Sequence, residues 1–338
     1  MKTMKVLLAH SFGEPKDVLR IEERPLPEPG PGQVRVRVKV TPIHASDLSV
    51  LRDRYGYTAP LPAIVGLESV GTIDALGEGV DGLTVGQDVI TIGIPGTWQE
   101  YLVADKTKLL PVPKGMSLSS AAQLLVNPVT AVLLTQEVKV APGEWLVQTA
   151  AGSTVGKMVI QLGKALGFKT INIVRRRAAV DDLLALGADA VICTEDEDVS
   201  ARIKEIAGEN GVSKALDCVA GELGAEVSRA LAPTGELLVY GALSTHRQTE
   251  PQKLVMPLSA KSLIYQTKTV RGFWLLSWIR SATPAEIQAL VGKTLKLVSA
   301  GDITIPEGVP YRIDQFAEAV VAAEAPAHGA KPVFVFED

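Results

Sequence analysis

Cysteine is scarce: only Cys193 and Cys218 occur in 338 residues. Two cysteines cannot staple a secreted fold and cannot build a four-thiolate zinc site, so a reducing, cytoplasmic setting is expected. Excess positive charge is lacking too. Lys and Arg number 34 against 38 Asp and Glu, a formal net charge of −4. No basic stripe is available to neutralise phosphates, which argues against bulk nucleic-acid binding. No apolar run reaches the roughly 18 residues that span a bilayer, so no membrane partner is expected. After Met1–Lys5 the chain enters Val6-Leu7-Leu8-Ala9 directly, so no signal peptide or Arg-rich transit segment is expected. What is present is ordinary for a globular protein: 46 % hydrophobic and 21 % charged residues, enough apolar surface to offset chain entropy. At roughly 150 residues per domain, the length predicts about two domains.

Two textures divide the chain. Residues up to about 125 are rich in Val, Gly and Pro. Gln33-Val34-Arg35-Val36-Arg37-Val38-Lys39-Val40 alternates strictly, the period-2 signature of a half-buried strand. Further short strands are predicted at Val70–Ile73, Asp88–Ile92 and Gln99–Val103, and an antiparallel, barrel-like β domain follows. From about 126, strands alternate with helices. The strand candidates are Trp145–Thr149, Thr170–Val174, Ala190–Cys193, Ala215–Val219, Leu237–Tyr240 and Val270–Trp274. Helices are predicted between most of them, including Val199–Ala207 and one that Gly167 ends. Six strands with crossover helices predict a doubly wound parallel sheet of the Rossmann type. The final apolar run, Pro332–Phe336, is expected to rejoin the β domain.

The first strand of the α/β region runs into Ala150-Ala151-Gly152-Ser153-Thr154-Val155-Gly156 and then a helix. Small residues there let a backbone approach a pyrophosphate, which the helix N-terminus then holds. The usual three-glycine pattern is reduced to Gly152 and Gly156, so the context carries the reading; a tight turn without ligand is the other one. The second strand ends at Val174, followed by Arg175-Arg176-Arg177. An NAD enzyme normally places Asp or Glu here for the ribose 2′-hydroxyl. Three guanidinium groups instead suit a 2′-phosphate, so NADPH is expected rather than NADH; a solvated basic loop is the alternative.

A β domain ahead of a Rossmann domain, with the chain returning to the first, resembles the medium-chain dehydrogenase/reductase superfamily. The resemblance implies a GroES-like catalytic domain from residues 1–125 and 277–338, and an NADPH-binding Rossmann domain from 126–276. Zinc-dependent members carry a Cys three residues before an Asp, then Gly-His-Glu. Here the segments read His44-Ala45-Ser46-Asp47 and Gly66-Leu67-Glu68, and no cysteine precedes Cys193. A catalytic zinc needs about three protein ligands, and His44 with Glu68 does not supply them, so no metal is expected. His44 reads as a hydrogen-bonded structural residue. Alcohol oxidation through a metal is then disfavoured, leaving reduction of activated double bonds or quinones.

Asn127-Pro128-Val129-Thr130-Ala131, Arg271-Gly272-Phe273-Trp274-Leu275 and the Leu51–Gly56 loop narrow the resemblance to the 2-enoyl thioester reductases, the enoyl-CoA or enoyl-ACP reductases. It implies that Tyr55 is the catalytic proton donor. It also implies cofactor contacts from Asn127, Thr130, Gly152, Ser153, Thr154, Val155, Arg175, Arg176, Arg177, Tyr240, Gly241, Ala242, Leu243, Phe273, Trp274, Leu275 and Lys331. By residue type alone, Tyr55 is equally a packing residue, Asn127 and Thr130 helix-start residues, Phe273 and Trp274 core aromatics, and Lys331 a solvated lysine. Departures touch substrate-facing and phosphate-facing positions: Asp53-Arg54 stands where the family has Gly-Asn, Gly66-Leu67-Glu68-Ser69 where it has Gly-Asn-Glu-Gly, and Gly152-Ser153-Thr154-Val155-Gly156 where it has Asn-Ser-Gly-Val-Gly. Two other functions therefore stay open, a metal-free NADPH:quinone oxidoreductase and an NADPH-binding protein without turnover; an alcohol dehydrogenase with an unusual metal site is a third. The expected partners are a small enoyl thioester or quinone, and a second copy of the chain through an edge strand. Arg52 and Arg54 are either solvated loop charges or a landing point for an acidic carrier protein.

Overall fold

The computed structural model describes residues 2–245, 248–325 and 330–336. Contacts divide the chain into two compact units, Met1–Val126 with Ile305–Asp338, and Asn127–Thr304.

The first unit opens with β1 (Thr3–Ala9), β2 (Leu19–Pro25), β3 (Gln33–Pro42), β4 (Ala63–Ile64), β5 (Val70–Leu76), β6 (Asp88–Thr91), β7 (Tyr101–Asp105) and β8 (Leu109–Pro111). β1 pairs antiparallel with β2 on one side and β4 on the other. A larger sheet is built on β3, which pairs antiparallel with both β5 and β7. The period-2 reading of β3 holds: Val34, Val36 and Val38 are fully buried, while Arg35 and Arg37 are partly exposed between them. Each such valine contributes about 1.5–3 kcal/mol on burial. Trp98 and Phe334, both fully buried, meet edge to face at 5.1 Å in the same core.

The second unit holds β9 (Trp145–Gln148), β10 (Lys169–Val174), β11 (Ala190–Cys193), β12 (Lys214–Asp217), β13 (Glu236–Val239) and β14 (Thr269–Gly272). They form one sheet in the order β11-β10-β9-β12-β13-β14, and every pairing is parallel. Helices cover both faces of such a sheet, so its strands read as continuous apolar runs: Leu146, Val147, Ile171, Ile173, Leu216, Leu237 and Leu238 are all fully buried. The chain leaves β9 in one direction to β10 and β11, then returns to β12 on the other side. Gly167 closes the helix Thr154–Leu166 at φ +81°, a backbone that glycine adopts without cost.

The chain returns to the first unit as β15 (Val309–Arg312) and β16 (Pro332–Val335). β16 lies antiparallel to β3, with Val333 opposite Pro42. The return comes later than the expected residue 277. The helix Pro284–Ser299 packs on the helix Asn127–Val138, so contacts keep it in the second unit through Thr304. A second correction concerns Val270–Trp274. The ladder stops at Gly272, opposite the end of β13 at Val239, and only Phe273 N–H donates further, to the Val239 carbonyl at 2.8 Å. Leu275 opens a helix, Leu275–Ser281, instead of extending the strand. No helix among the described residues is long and apolar enough to cross a membrane.

Candidate active site

In the second unit, the residues singled out in sequence gather after the C-terminal ends of parallel strands. Gly152–Val155 follow β9, Arg175–Arg177 follow β10, Tyr240–Leu243 follow β13, and Phe273–Leu275 follow β14. Strand order reverses between β9 and β12, and ligands of open parallel sheets bind beyond the carboxyl ends of the strands at such a reversal.

The turn after β9 has two glycines with different reasons. A Cβ on Gly156 would lie 2.6 Å from the Ala151 carbonyl oxygen, so close approach of helix and turn requires glycine there. A Cβ on Gly152 would meet no protein atom within 4 Å. Packing therefore does not account for Gly152, and the space beside it is open to a ligand. Ser153 caps the helix, its hydroxyl oxygen accepting from Gly156 N–H at 3.1 Å.

The three arginines are not equivalent. Arg177 donates to Asp196 and, at 3.4 Å, to Glu197, and its own N–H donates to Glu195 at 3.1 Å. Asp196 raises its pKa most, through the hydrogen bond, and Glu197 adds to the rise. Arg175 and Arg176 make no ion pair among the described residues, with Arg175 exposed and Arg176 half-buried. Beyond β13, the Tyr240 hydroxyl is buried beside the Cys218 thiol. Burial pushes the Tyr240 hydroxyl well above its ordinary pKa and the Cys218 thiol up to about 12. Trp274 lies under the Arg280 guanidinium at 5.7 Å, a cation–π contact.

Asn127 is the first residue of the helix Asn127–Val138, with Pro128 in its first turn. Its side-chain Nδ2 is buried and has no hydrogen-bond partner. An orphaned buried donor is costly unless a ligand accepts from it. That orphan, the open space at Gly152 and the two uncommitted arginines fit a dinucleotide bearing an additional phosphate. Thr130 lies one turn further along the same helix.

In the first unit, Tyr55 sits in a loop after the helix Ala45–Leu51 and is half-buried against the unit's core. Its ring meets Tyr57 edge to face at 5.5 Å. The loop is tied from below by Arg52, which is buried and donates to Glu14 at 2.7 and 3.1 Å and pairs with Glu324 at 2.7 Å. Arg52 is therefore neither a solvated charge nor a landing point for a carrier protein.

At the N-terminal end of the helix Ala45–Leu51 lies a buried cluster. His44 Nε2 is 2.8 Å from Glu68 Oε1, and Glu68 Oε2 accepts from Leu125 and Val126 N–H at 2.9 Å each. Asp47 Oδ2 accepts from His44 N–H at 2.8 Å. Burial lifts the Asp47 carboxyl to about 6, against the pull of His44 and Lys331. Lys331 is half-buried and donates to the Ile43 carbonyl at 3.4 Å; burial lowers its pKa, opposed by Glu68 and Asp47. His44 is thus the hydrogen-bonded residue expected. Among the described residues no group of three or more His, Cys, Asp or Glu side chains is arranged to hold a metal ion. Sequence reasoning did not find Glu68 as the centre of this cluster, nor Asp217 at the end of β12. Both are single acids beside small residues, and only spacing across folded loops reveals their partners.

A parallel sheet carrying small-residue and arginine turns at its carboxyl edge defines a dinucleotide-binding oxidoreductase unit, here preceded by an antiparallel β unit. Residues 30–114 match the family described as alcohol dehydrogenase GroES-like domain, and residues 154–292 that described as zinc-binding dehydrogenase. The chain belongs to the medium-chain dehydrogenase/reductase superfamily. Within it, the chain is 34 % identical over 330 residues to the mitochondrial enoyl-[acyl-carrier-protein] reductase of Rattus norvegicus, covering 96 % of this chain and 86 % of the relative. A Bacillus thuringiensis protein assigned as an NADPH:quinone reductase has a similar structure, with TM-score 0.91, 28 % identity and full coverage of both chains. The mitochondrial 2-enoyl thioester reductase heterodimer of Candida tropicalis is similar at TM-score 0.85 and 26 % identity, covering 99 % of this chain and 100 % of that one.

Proposed function

We propose that the protein reduces an activated carbon–carbon double bond with NADPH, its substrate a trans-2-enoyl thioester of CoA or acyl carrier protein. The observation that carries the cofactor choice is the turn after β10, where Arg175 and Arg176 make no ion pair among the described residues, the turn itself contains no acid, and the neighbouring Asp196 and Glu197 are engaged by Arg177. The thioester reading is supported by the enoyl reductase relative, which aligns over nearly the whole chain.

NADPH, when bound, supplies a hydride to the β-carbon of the enoyl group. The protein's part is to hold the dinucleotide and to manage charge and proton. Gly152 leaves room for the pyrophosphate, the N–H groups at the start of the helix Thr154–Leu166 face an anion, and Asn127 Nδ2 offers its unused donor. Negative charge develops on the thioester oxygen during reduction; a donor aimed at such an oxygen is worth about 10²–10³ in rate. Tyr55 would hold the proton for delivery to the α-carbon, as a phenol can act as a general acid. Ser153, Thr154, Val155, Tyr240, Gly241, Ala242, Leu243, Phe273, Trp274, Leu275, Thr130 and Lys331 complete the proposed cofactor set.

Reduction of a quinone with the same cofactor is the second reading, favoured by the Bacillus thuringiensis similarity. Oxidation of NADPH and NADH followed side by side, with crotonyl-CoA and with a benzoquinone, separates the two. The expected result is NADPH-dependent turnover of crotonyl-CoA that Tyr55→Phe cuts strongly without weakening NADPH binding. Turnover of the quinone alone, or full activity in Tyr55→Phe, would overturn the assignment.

A homodimer through β14 belongs to the same proposal. This strand ends the sheet, and Ile264 and Tyr265 on the helix before it are 66 % and 79 % exposed. The cytoplasmic location expected from the cysteine count belongs to it as well; the mitochondrial names of the relatives set the compartment that cell fractionation must separate from it.

A further inference from the structure

Asp217, the last residue of β12, is fully buried and takes no part in the roles assigned above. Burying a carboxylate is costly unless its oxygens are satisfied by donors. Here they are. Oδ1 accepts from the Thr149 hydroxyl at 2.6 Å and from Val219 N–H at 2.9 Å, and Oδ2 accepts from Ala220 N–H at 3.0 Å. The Thr149 hydroxyl in turn accepts from Cys218 N–H at 3.0 Å. Asp217's own carbonyl accepts from Tyr240 N–H at 2.8 Å. Gly224 leaves the room this needs, since a Cβ there would lie 2.3 Å from Oδ2.

The carboxylate's donors come from separate turns at the carboxyl edge of the sheet. Thr149 begins the turn that reaches Gly152, while Val219 and Ala220 lie in the turn after β12, whose Cys218 and Val219 carbonyls accept from Leu243 and Ser244 N–H in the turn after β13 at 2.9 Å each. Both alanines beside the carboxylate's partners hold positive φ, Ala150 at +47° and Ala220 at +59°. An L residue occupies that region only under constraint, and the hydrogen bonds to Asp217 and Thr149 lie next to these two positions.

We propose that Asp217, acting through Thr149 and the turn after β12, is a positioning residue for the dinucleotide, fixing the turn after β9 directly and the turn after β13 through that intervening turn at the spacing the cofactor requires. This rests on the cofactor reading given above. Asp217 touches no reacting atom in this account. It presets loops whose residues would do so, which keeps the cost of ordering them out of the binding step. The arginine turn after β10 is outside this hydrogen-bond set.

The test compares two ligands on the full chain: NADPH, followed by its fluorescence, and 2′-AMP, followed by calorimetry. Asp217→Asn replaces an acceptor oxygen with an amide donor facing a backbone N–H. Thr149→Val removes the linking hydroxyl, and Thr149→Ser keeps it. Asp217→Asn and Thr149→Val should weaken NADPH about tenfold to a hundredfold, the span for losing hydrogen bonds to a charged group. They should leave 2′-AMP affinity within about twofold, because its phosphate lies on the arginine turn. Thr149→Ser should bind NADPH like the parent. If Asp217→Asn does not fold, Thr149→Val decides alone. Unchanged NADPH affinity in variants of a parent that binds it would overturn the Asp217 proposal, and so would equal loss of both ligands. A parent that binds neither ligand would overturn the cofactor reading itself.

Discussion

Replacing Glu68 by alanine tests the buried cluster of the first unit most sharply. The carboxylate is 1 % exposed and serves three groups: His44 Nε2 at 2.8 Å, and the N–H groups of Leu125 and Val126 at 2.9 Å. Alanine leaves all three without their partner. A stranded buried polar group costs about 1–3 kcal/mol. Val126 is only partly buried, so water recovers some of its share. The total is then about 3–5 kcal/mol, the range found when one member of a buried ionic pair is removed. For a unit of about 160 residues, 1 kcal/mol shifts the melting midpoint by roughly 2–4 °C. Scanning calorimetry should therefore show the first unit's transition falling by roughly 10 °C. Glu68→Gln is the informative control. Its amide oxygen can still accept, but its NH₂ then faces a donor, either the two N–H groups or His44 Nε2–H, so its cost should be smaller than that of alanine without vanishing. A Glu68→Ala midpoint within about 2 °C of the parent would refute the view that this carboxylate organises the cluster.

Other outcomes follow from named groups. Asp47 has a folded pKa of about 6, raised by burial above the ordinary aspartate value. The folded state thus holds its proton more tightly than the unfolded chain, and stability falls as pH rises from about 4 to 6. His44, Glu68 and Lys331 face the same carboxyl, so the comparison is between parent and Asp47→Asn: the parent's midpoint should fall across that window relative to the variant, and parallel curves would contradict the assignment. Arg177 is occupied by Asp196 and Glu197, whereas Arg175 and Arg176 are not. Arg175→Ala and Arg176→Ala should each lower the NADPH-over-NADH ratio of kcat/KM about tenfold or more, with Arg177→Ala closer to the parent because an exposed ion pair contributes little. An Arg177→Ala effect equal to the others would refute that division. Burial holds the Cys218 thiol at about 12, so it should resist a thiol reagent at pH 8 in the folded protein and react once unfolded; rapid native labelling of Cys218 would contradict this.

Much of the fold is legible in the sequence because buried parallel strands are continuous apolar runs. Ala190–Cys193 and Val199–Ala207 coincide with a strand and a helix residue for residue. Ends slip where the apolar run outlasts its hydrogen-bonded neighbour, as after Gly272. The small-residue turn after β9 is legible through Gly152 and Gly156, but their different reasons are not: Gly156 faces Ala151 and Gly152 open space. Arginine identity marks the turn after β10, yet which guanidinium is committed depends on carboxylates nearly 20 residues downstream. Arg52 is the clearest case. Its sequence neighbours suggest a solvated loop, and its partners, Glu14 and Glu324, lie near opposite ends of the chain.

The proposed reaction is hydride transfer from NADPH to the β-carbon of an enoyl thioester, with a solvent-derived proton passed to the α-carbon by Tyr55. It is tested most directly by following isotope. Turnover of crotonyl-CoA with stereospecifically 4-deuterated NADPH, in water and then with ordinary NADPH in D₂O, locates both hydrogens by mass spectrometry and NMR of the product. The expected product is butyryl-CoA with cofactor deuterium on C3 for one face of the nicotinamide, and solvent deuterium on C2. No saturated product, or cofactor deuterium absent from C3 with either labelled face, would contradict it.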